Sequence, residues 1–171
     1  LRGGRIEWAI TGAFGDNLDE PAQRLAEKSG LQASDIASLR ELGVCINYNG
    51  YGASLDDLHF HPDALYESLL EAEQPQAFLN SSTFRQLQLG YQQDLAASAA
   101  LTPVVQELAF AVYQLPDAAW ARRVSGVFSN DLVRAFPARA HAVLTERHDG
   151  AFLVSVRAPF ERRTGAEAVC S

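Results

Sequence analysis

The sequence predicts an α/β protein in three consecutive parts: a mostly helical part over residues 1–80, a linker helix over 81–105 and a small α/β part over 106–171. Three observations support this fold class. Apolar residues of the first part recur at helical spacing. The continuous apolar run ELAFAVYQL (107–115) is typical of a buried strand. Two further strand patterns flank Asp149-Gly150, a dipeptide that favours a tight hairpin turn.

Caps, prolines and glycines set the predicted boundaries in the first part. A helix begins at Asp19 or Glu20, with Pro21 in its first turn, and ends at Ser29-Gly30. Two more helices are predicted, over 35–42 between the cap Ser34 and the stop Gly43, and from Pro62 to the residue before Pro75. The stretch CINYNGYG (45–52) reads as a turn.

The rest of the chain predicts one long helix and then a compact α/β motif. Polar residues with an apolar stripe over 81–102 indicate the linker helix, which Pro103 ends or kinks. After the strand at 107–115, apolar spacings of three and four predict an amphipathic helix between Pro116 and Pro137. Strand, crossover helix, strand, strand is therefore the expected order, with the hairpin last.

Composition restricts the partners that the protein can attract. The net charge is −7, so no general attraction to nucleic acid or to an anionic membrane is expected. Cys45 and Cys170 suggest neither a metal site nor a disulfide framework. The sequence shows no signal peptide and no long apolar run, which favours a cytoplasmic location and no membrane association. It begins at Leu1 and contains no Met, so we expect a piece of a longer protein.

Asp16 ends the apolar, small-residue stretch AITGAFGD (9–16), and two interpretations of this carboxylate are open. Asp is a common helix cap, and a helix begins nearby. However, Asp19 is better placed for capping, because it stands two residues before Pro21. Asp16 is then left without a structural role and becomes a candidate metal-binding or catalytic residue.

Three motifs together resemble the DHH superfamily of phosphoesterases. RRVSGVFSNDLVRAFP (122–137) and AHAVLTERHDGAFLVSVRAP (140–159) resemble its C-terminal, DHHA1-type substrate-binding lobe. ITGAFGDN (10–17) resembles the fourth motif of its catalytic lobe. Two motifs of the family are missing: the Asp-His-His triplet that names it and the glycine-rich motif near the end of its second lobe. Either the sequence is trimmed at both ends, or the protein is a degenerate, non-catalytic relative.

The resemblance implies metal-dependent hydrolysis of a phosphodiester or phosphoanhydride bond, with two Mn²⁺ ions. Asp16 matches a metal-binding carboxylate, and Arg157, with Ser155 as a weaker candidate, matches the residues that hold substrate phosphate. Strand alternation places Ser155 and Arg157 on the same face. The expected ligand is a phosphate-bearing small molecule or a short single-stranded nucleic acid. A homodimer is possible, and this chain alone is expected to be inactive.

Several alternatives remain open from the residues themselves. His59 and His61 form a possible metal pair, although His61 precedes Pro62 and suits a helix cap. The arginines of the last third, among them Arg122 and Arg123, either attract phosphate or are solvated surface charges. A non-catalytic phosphate-binding or interaction module and a plain α/β scaffold are the two alternatives to an enzyme.

Overall fold

The computed structural model describes residues 2–162 and 164–169 of this mixed α/β protein. The chain forms two compact units. Unit 1 comprises residues 1–51 and 58–92, and unit 2 comprises residues 52–57 and 93–171. The division falls within the predicted linker helix, and a six-residue segment of the first part belongs to unit 2.

The elements follow the predicted order, with helices first and the sheet last. In the first half they are α1 (Arg2–Gly15), α2 (Asp19–Lys28), α3 (Ala33–Tyr48), a 3₁₀ turn (Leu55–Asp57), α4 (Pro62–Leu70), α5 (Pro75–Leu79) and α6 (Ser82–Ala99). In the second half they are β1 (Val105–Gln106), β2 (Phe110–Leu115), α7 (Ala119–Ala135), β3 (Ala140–Glu146), β4 (Phe152–Arg157) and α8 (Ala166–Val169).

Helix α3 corrects the prediction of a helix that stops at Gly43. It continues to Tyr48 and absorbs most of the predicted turn. The reason is a close approach of α1 and α3, since a Cβ atom on Gly43 would lie 2.8 Å from the backbone nitrogen of Gly15 and closer still to the carbonyl oxygen of Thr11. Gly43 is therefore a packing residue inside a helix and not a helix stop.

Other boundaries of unit 1 also differ from the predicted ones. Gln32, not Ser34, occupies the N-cap position of α3. Helix α4 begins at Pro62 as predicted but ends at Leu70. Pro75 does not end that helix; it opens the short helix α5, because proline is as well suited to the first turn of a helix as to the position after its end.

Buried side chains of α1, α2 and α3 form one core cluster of unit 1. A second cluster contains Cys45, Phe78 and Leu87, with Trp8 packed against it. Each cluster is assembled from apolar residues three or four positions apart on its helices. The predicted helical periodicity of this part is therefore confirmed by the side chains that it buries.

Unit 2 contains a four-stranded mixed sheet in the order β1-β2-β3-β4. β1 pairs antiparallel with β2, β2 pairs parallel with β3, and β3 pairs antiparallel with β4. The crossover helix between the parallel strands is α7, as predicted. Gly150 adopts a positive φ of 78° in the hairpin turn, a backbone conformation that favours glycine. The short strand β1 was not predicted, and β2 begins three residues later than the apolar run.

Helix α7 covers one face of the sheet and forms the core of unit 2 with it. Tyr113 of β2 and Val143 of β3 are buried on this face against α7 residues such as Val124 and Phe128. The predicted buried strand β2 is buried on one face only, since Phe110 on the opposite face is 43% exposed. Strand side chains that point to this face of the sheet therefore lie beside α7.

Candidate functional site

The structure brings Arg157 and Ser155 into direct contact at the end of β4. The Nη1 nitrogen of Arg157 donates to Ser155 Oγ at 3.0 Å and to the Val156 carbonyl oxygen at 3.3 Å. Its Nε nitrogen donates to Oδ1 of Asn130, on helix α7, at 3.2 Å. Three neutral oxygen atoms therefore hold this half-buried guanidinium group in place.

The alternation of β4 and its register with β3 explain this placement. Ser155 pairs with Val143 and Arg157 pairs with His141 in the antiparallel ladder. Val143 and His141 are both buried on the α7 face, so residues 155 and 157 also lie on that face. The predicted common face of the two side chains is confirmed, and α7 adds Asn130, which sequence reasoning missed.

Ser129 links Ser155 to the interior of unit 2. Its side chain is fully buried, and its hydroxyl donates to the carbonyl oxygen of Ser125 at 2.7 Å. The hydroxyl oxygens of Ser129 and Ser155 are 3.4 Å apart. Because Ser129 has one proton and uses it in the short bond to Ser125, a hydrogen bond between the two hydroxyls has to be donated by Ser155.

Arg157 has no carboxylate partner within 4.0 Å among the residues that the structure describes. Arg122 and Arg123, also half-buried in unit 2, differ in this respect. Arg122 binds Asp57 through Nε at 2.9 Å and through Nη2 at 2.7 Å, and Arg123 binds Asp94 at 2.7 Å. The charge of Arg157 is therefore left un-neutralised, whereas those of Arg122 and Arg123 are matched by aspartates.

These ion pairs correct the interpretation of Arg122 and Arg123 as phosphate-attracting or solvated surface charges. Asp57 is buried and also accepts the backbone N–H of Ala53 at 2.8 Å. The hydrogen bond from Arg122 lowers the pKa of the Asp57 carboxyl below its ordinary value of 3.8. The pair fastens the segment 52–57 to α7. No local pattern predicts it, since the partners lie 65 positions apart.

Asp16 follows the last residue of α1 and is exposed. Its backbone N–H donates to Gly12 O at 3.0 Å, and its side chain has no hydrogen-bond or ion-pair partner in the described part of the chain. Helix α2 begins at Asp19, and Leu18 occupies its N-cap position. Asp16 therefore caps no helix, and its carboxylate is left for another role.

A carboxylate is a suitable ligand for Mn²⁺, because hard oxygen donors bind this ion well. Asp16 fits that role as a single donor. Within residues 2–162 and 164–169, no three His, Cys, Asp or Glu side chains are grouped so that they could hold a metal ion.

His59 and His61 occupy different environments in unit 1. His61 is the N-cap residue of α4, and its Nδ1 accepts the backbone N–H of Asp63 at 3.4 Å, in line with the capping alternative. The ring of His59 stacks near Tyr48, with a centroid distance of 6.2 Å, and lies against Gly90. Both positions give the imidazoles a packing or capping role.

A cleft of about 710 Å³ opens in unit 2 at the carboxyl ends of the parallel strands β2 and β3. Its lining includes Asp57, Asp117 and Arg122 on one side and Glu146 and Arg147 on the other. Such crevices are frequent ligand sites in α/β sheets. Here, however, the half-buried guanidinium of Arg122 is already bonded to both aspartates.

His141 is the ladder partner of Arg157 and is 1% exposed. Neither ring nitrogen has a hydrogen-bond partner among the described residues. Burial, with a smaller contribution from the charge of Arg139, lowers the pKa of His141 below its ordinary value of 6.5. The imidazole is therefore held in its neutral form beneath the Arg157 cluster.

Cys45 is a buried free thiol in unit 1, and burial together with the charge of Glu41 raises its pKa to about 12. A protonated, buried thiol is a poor nucleophile and metal ligand. Cys170 lies outside the described residues. Cys45 is therefore not a candidate for the site.

Comparison of the chain with protein-family models, with curated proteins and with solved structures gave no match. Across the described residues, no helix has the length and apolar character needed to cross a membrane. The cytoplasmic location, the homodimer and the DHH resemblance stay predictions. The candidate site is therefore argued from its own contacts.

Proposed function

We propose that this chain supplies part of a manganese-dependent phosphoesterase of the DHH type, in which Arg157 binds a phosphate group of the substrate. One observation carries this proposal. Arg157 is half-buried, is oriented by three neutral oxygen atoms, and has no carboxylate partner in the described part of the chain. An oriented cation without a counterion is a ready-made site for an anion.

The chemistry of the cluster suits phosphate. A guanidinium group presents several N–H donors in one plane and binds two oxygen atoms of a phosphate at once. Ser155 Oγ accepts from Arg157 Nη1 and so holds one nitrogen of this donor plane in place. Arg157, oriented by Ser155, therefore offers its charge and its remaining N–H donors to one phosphate group.

Asp16 is proposed as one ligand of the metal site. Its carboxylate is exposed at the end of α1 and has no partner among the described residues, so it is free to bind a cation. When bound, Mn²⁺ supplies neutralisation of phosphoryl charge and activation of a water molecule. The remaining ligands are proposed to lie in a longer protein to which this sequence belongs.

The charge of the chain supports short substrates over long nucleic acids. The chain has a net charge of −7 and therefore repels a polyanion, except where a local positive charge offsets this repulsion. Arg157 provides one such local charge. We therefore propose a phosphodiester or phosphoanhydride of a short oligonucleotide or a nucleotide as the substrate class.

The test is manganese-dependent hydrolysis by the longer protein, with trinucleotides, cyclic dinucleotides and ADP as substrates. Asp16→Ala is expected to abolish turnover, and Arg157→Ala to lower kcat/KM by about 100-fold, in line with the loss of a charged contact to phosphate. Arg134→Ala is the matched control, since Arg134 lies on α7 and its side chain is 76% exposed. Unchanged turnover in both test variants would refute the proposal.

Phosphate binding without turnover would instead favour a non-catalytic module. In that case the 171-residue chain binds the same probes without Mn²⁺, and Asp16→Ala leaves affinity unchanged. Arg157→Ala still weakens binding. The two functions are thus separated by the Asp16 variant.

A further inference from the structure

Among the described residues, Asn130 is the one side chain of α7 that forms a hydrogen bond with the guanidinium of Arg157. We infer that Asn130 is a second ligand-binding residue of this cluster, which orients Arg157 through its amide oxygen and donates its amide N–H to the same phosphate. The inference rests on the proposed function, since it assigns a further contact to the ligand of Arg157.

The chemistry of the contact fixes which end of the amide faces Arg157. Arginine has only donors, so the atom 3.2 Å from its Nε must be an acceptor, and in an asparagine that atom is Oδ1. The amide nitrogen Nδ2 therefore points away from Nε. No partner of Nδ2 is recorded in the described part of the chain, and Asn130 is exposed, so two N–H donors stay open to solvent.

Hydrogen-bond accounting over the whole cluster leaves more donors than acceptors for a ligand. The oxygens of Asn130, Ser155 and Val156 are all occupied by N–H groups of Arg157. What is left for a ligand is the Nδ2 amide of Asn130 and the remaining N–H groups of Arg157.

Such a donor set suits a group with several acceptor oxygens and no donor of its own. A phosphodiester fits, because its two non-bridging oxygens and its ester oxygens accept and none donates. One oxygen is assigned to the guanidinium of Arg157 and a second to the amide of Asn130. The ligand group is therefore an ionised phosphodiester within a short single-stranded nucleotide chain.

Asn130→Asp separates the two roles of this side chain. A carboxylate keeps an acceptor for Arg157 Nε but replaces the amide donor with a negatively charged acceptor. Asn130→Ala removes both roles. Asp131→Asn is the matched control, because Asp131 is the next exposed residue of α7 and contacts Arg134 instead of Arg157.

Binding of a fluorescein-labelled single-stranded trinucleotide to the 171-residue chain is measured by fluorescence anisotropy, for these variants, for Arg157→Ala and for the double variant. Loss of a hydrogen bond to a charged group predicts about tenfold weaker binding for Asn130→Ala. Charge repulsion predicts about 100-fold weaker binding for Asn130→Asp. In the Arg157→Ala background, Asn130→Ala should still weaken binding about threefold, because the amide contacts the ligand directly.

Two results would overturn the inference while leaving the proposed function intact: affinity unchanged by Asn130→Ala, or Asn130→Asp binding as tightly as the native chain. If Asn130→Ala has no further effect once Arg157 is removed, then Asn130 acts through Arg157 alone and the direct contact is refuted. Absence of trinucleotide binding by the native chain would overturn both this inference and the proposed function. Thermal melting of each variant confirms that unit 2 stays folded.

Discussion

Replacing Gly43 with alanine should destabilise unit 1, although the same change is favourable in most helices. Gly43 lies inside α3, where alanine is preferred over glycine by about 1 kcal/mol. The backbone of α1 occupies the space that a Cβ atom would need, with Gly15 N at 2.8 Å and Thr11 O nearer still. Both neighbours are main-chain atoms, so no side chain can rotate away.

The structure gives the scale of the effect. Ordinary van der Waals contact begins near 3.4 Å, so α1 and α3 must separate by at least 0.6 Å at Gly15. Gaps of that size forfeit about a quarter or more of the attraction between the packed side chains, and overpacking typically costs about 1–3 kcal/mol. The separation also loosens buried residues such as Ile10 and Leu39. Because both close neighbours are main-chain atoms, the cost lies at the upper end of this range, about 3 kcal/mol, and after the gain of about 1 kcal/mol in helix propensity we expect a net loss of about 2 kcal/mol.

Urea unfolding checks this value, with the fluorescence of Trp8 as the reporter of unit 1 in a Trp120→Phe background. For an m-value of about 2 kcal/mol/M, the midpoint of Gly43→Ala should fall by about 1 M. Gly12→Ala is the control, since a Cβ atom at Gly12 of α1 meets nothing within 4 Å. Its midpoint should rise, by the equivalent of about 0.5–1 kcal/mol. A midpoint for Gly43→Ala that rises as much as that of Gly12→Ala would refute the close-contact reasoning.

Three further predictions concern unit 2. Asp57→Ala should lower its stability by about 2 kcal/mol, because the half-buried Arg122 keeps only Asp117 as a partner and the backbone N–H of Ala53 loses its acceptor, whereas exposed Asp56→Ala should have little effect in the same thermal denaturation experiment. Lowering the pH through 6.5 should destabilise unit 2, because His141 binds a proton in the unfolded chain but resists protonation in the folded one. The native chain should therefore be less stable at pH 5.5 than at pH 7.5 in a denaturation series. This difference should disappear in His141→Gln. Gly126→Ala in α7 should raise the melting temperature, because open space surrounds that position. A flat pH series, or a lower melting temperature for Gly126→Ala, would contradict these assignments.

The order of elements was predictable wherever a local signal determines the structure. The strand, crossover helix and hairpin of unit 2 follow from an apolar run, an amphipathic period and Asp149-Gly150, and all three are observed. Gly43 was misread because the same residue type serves as a helix stop and as a close-contact residue. Only the position of α1, which sequence spacing does not give, decides between the two uses.

The candidate site shows the same limit. Strand alternation placed Ser155 and Arg157 together, because that relation is local along β4. Asn130 was missed, since its contact with Arg157 depends on how α7 packs over the sheet. The pairing of Arg122 with Asp57 was missed for a similar reason: opposite charges 65 positions apart give no sequence signal.

Whether an arginine of unit 2 is a good anion site depends on its counterions and not on the size of the cleft beside it. The 710 Å³ cleft contains Arg122, but an anion there has to displace or share a guanidinium already bonded to Asp57 and Asp117. Breaking a largely buried ion pair costs about 3–5 kcal/mol, which exceeds the gain from most single phosphate contacts. Arg157 is held by neutral oxygens, so no charge pair must be broken before an anion binds. The smaller polar cluster at the end of β4 is therefore the better phosphate site, and Arg122→Ala should weaken trinucleotide binding far less than Arg157→Ala.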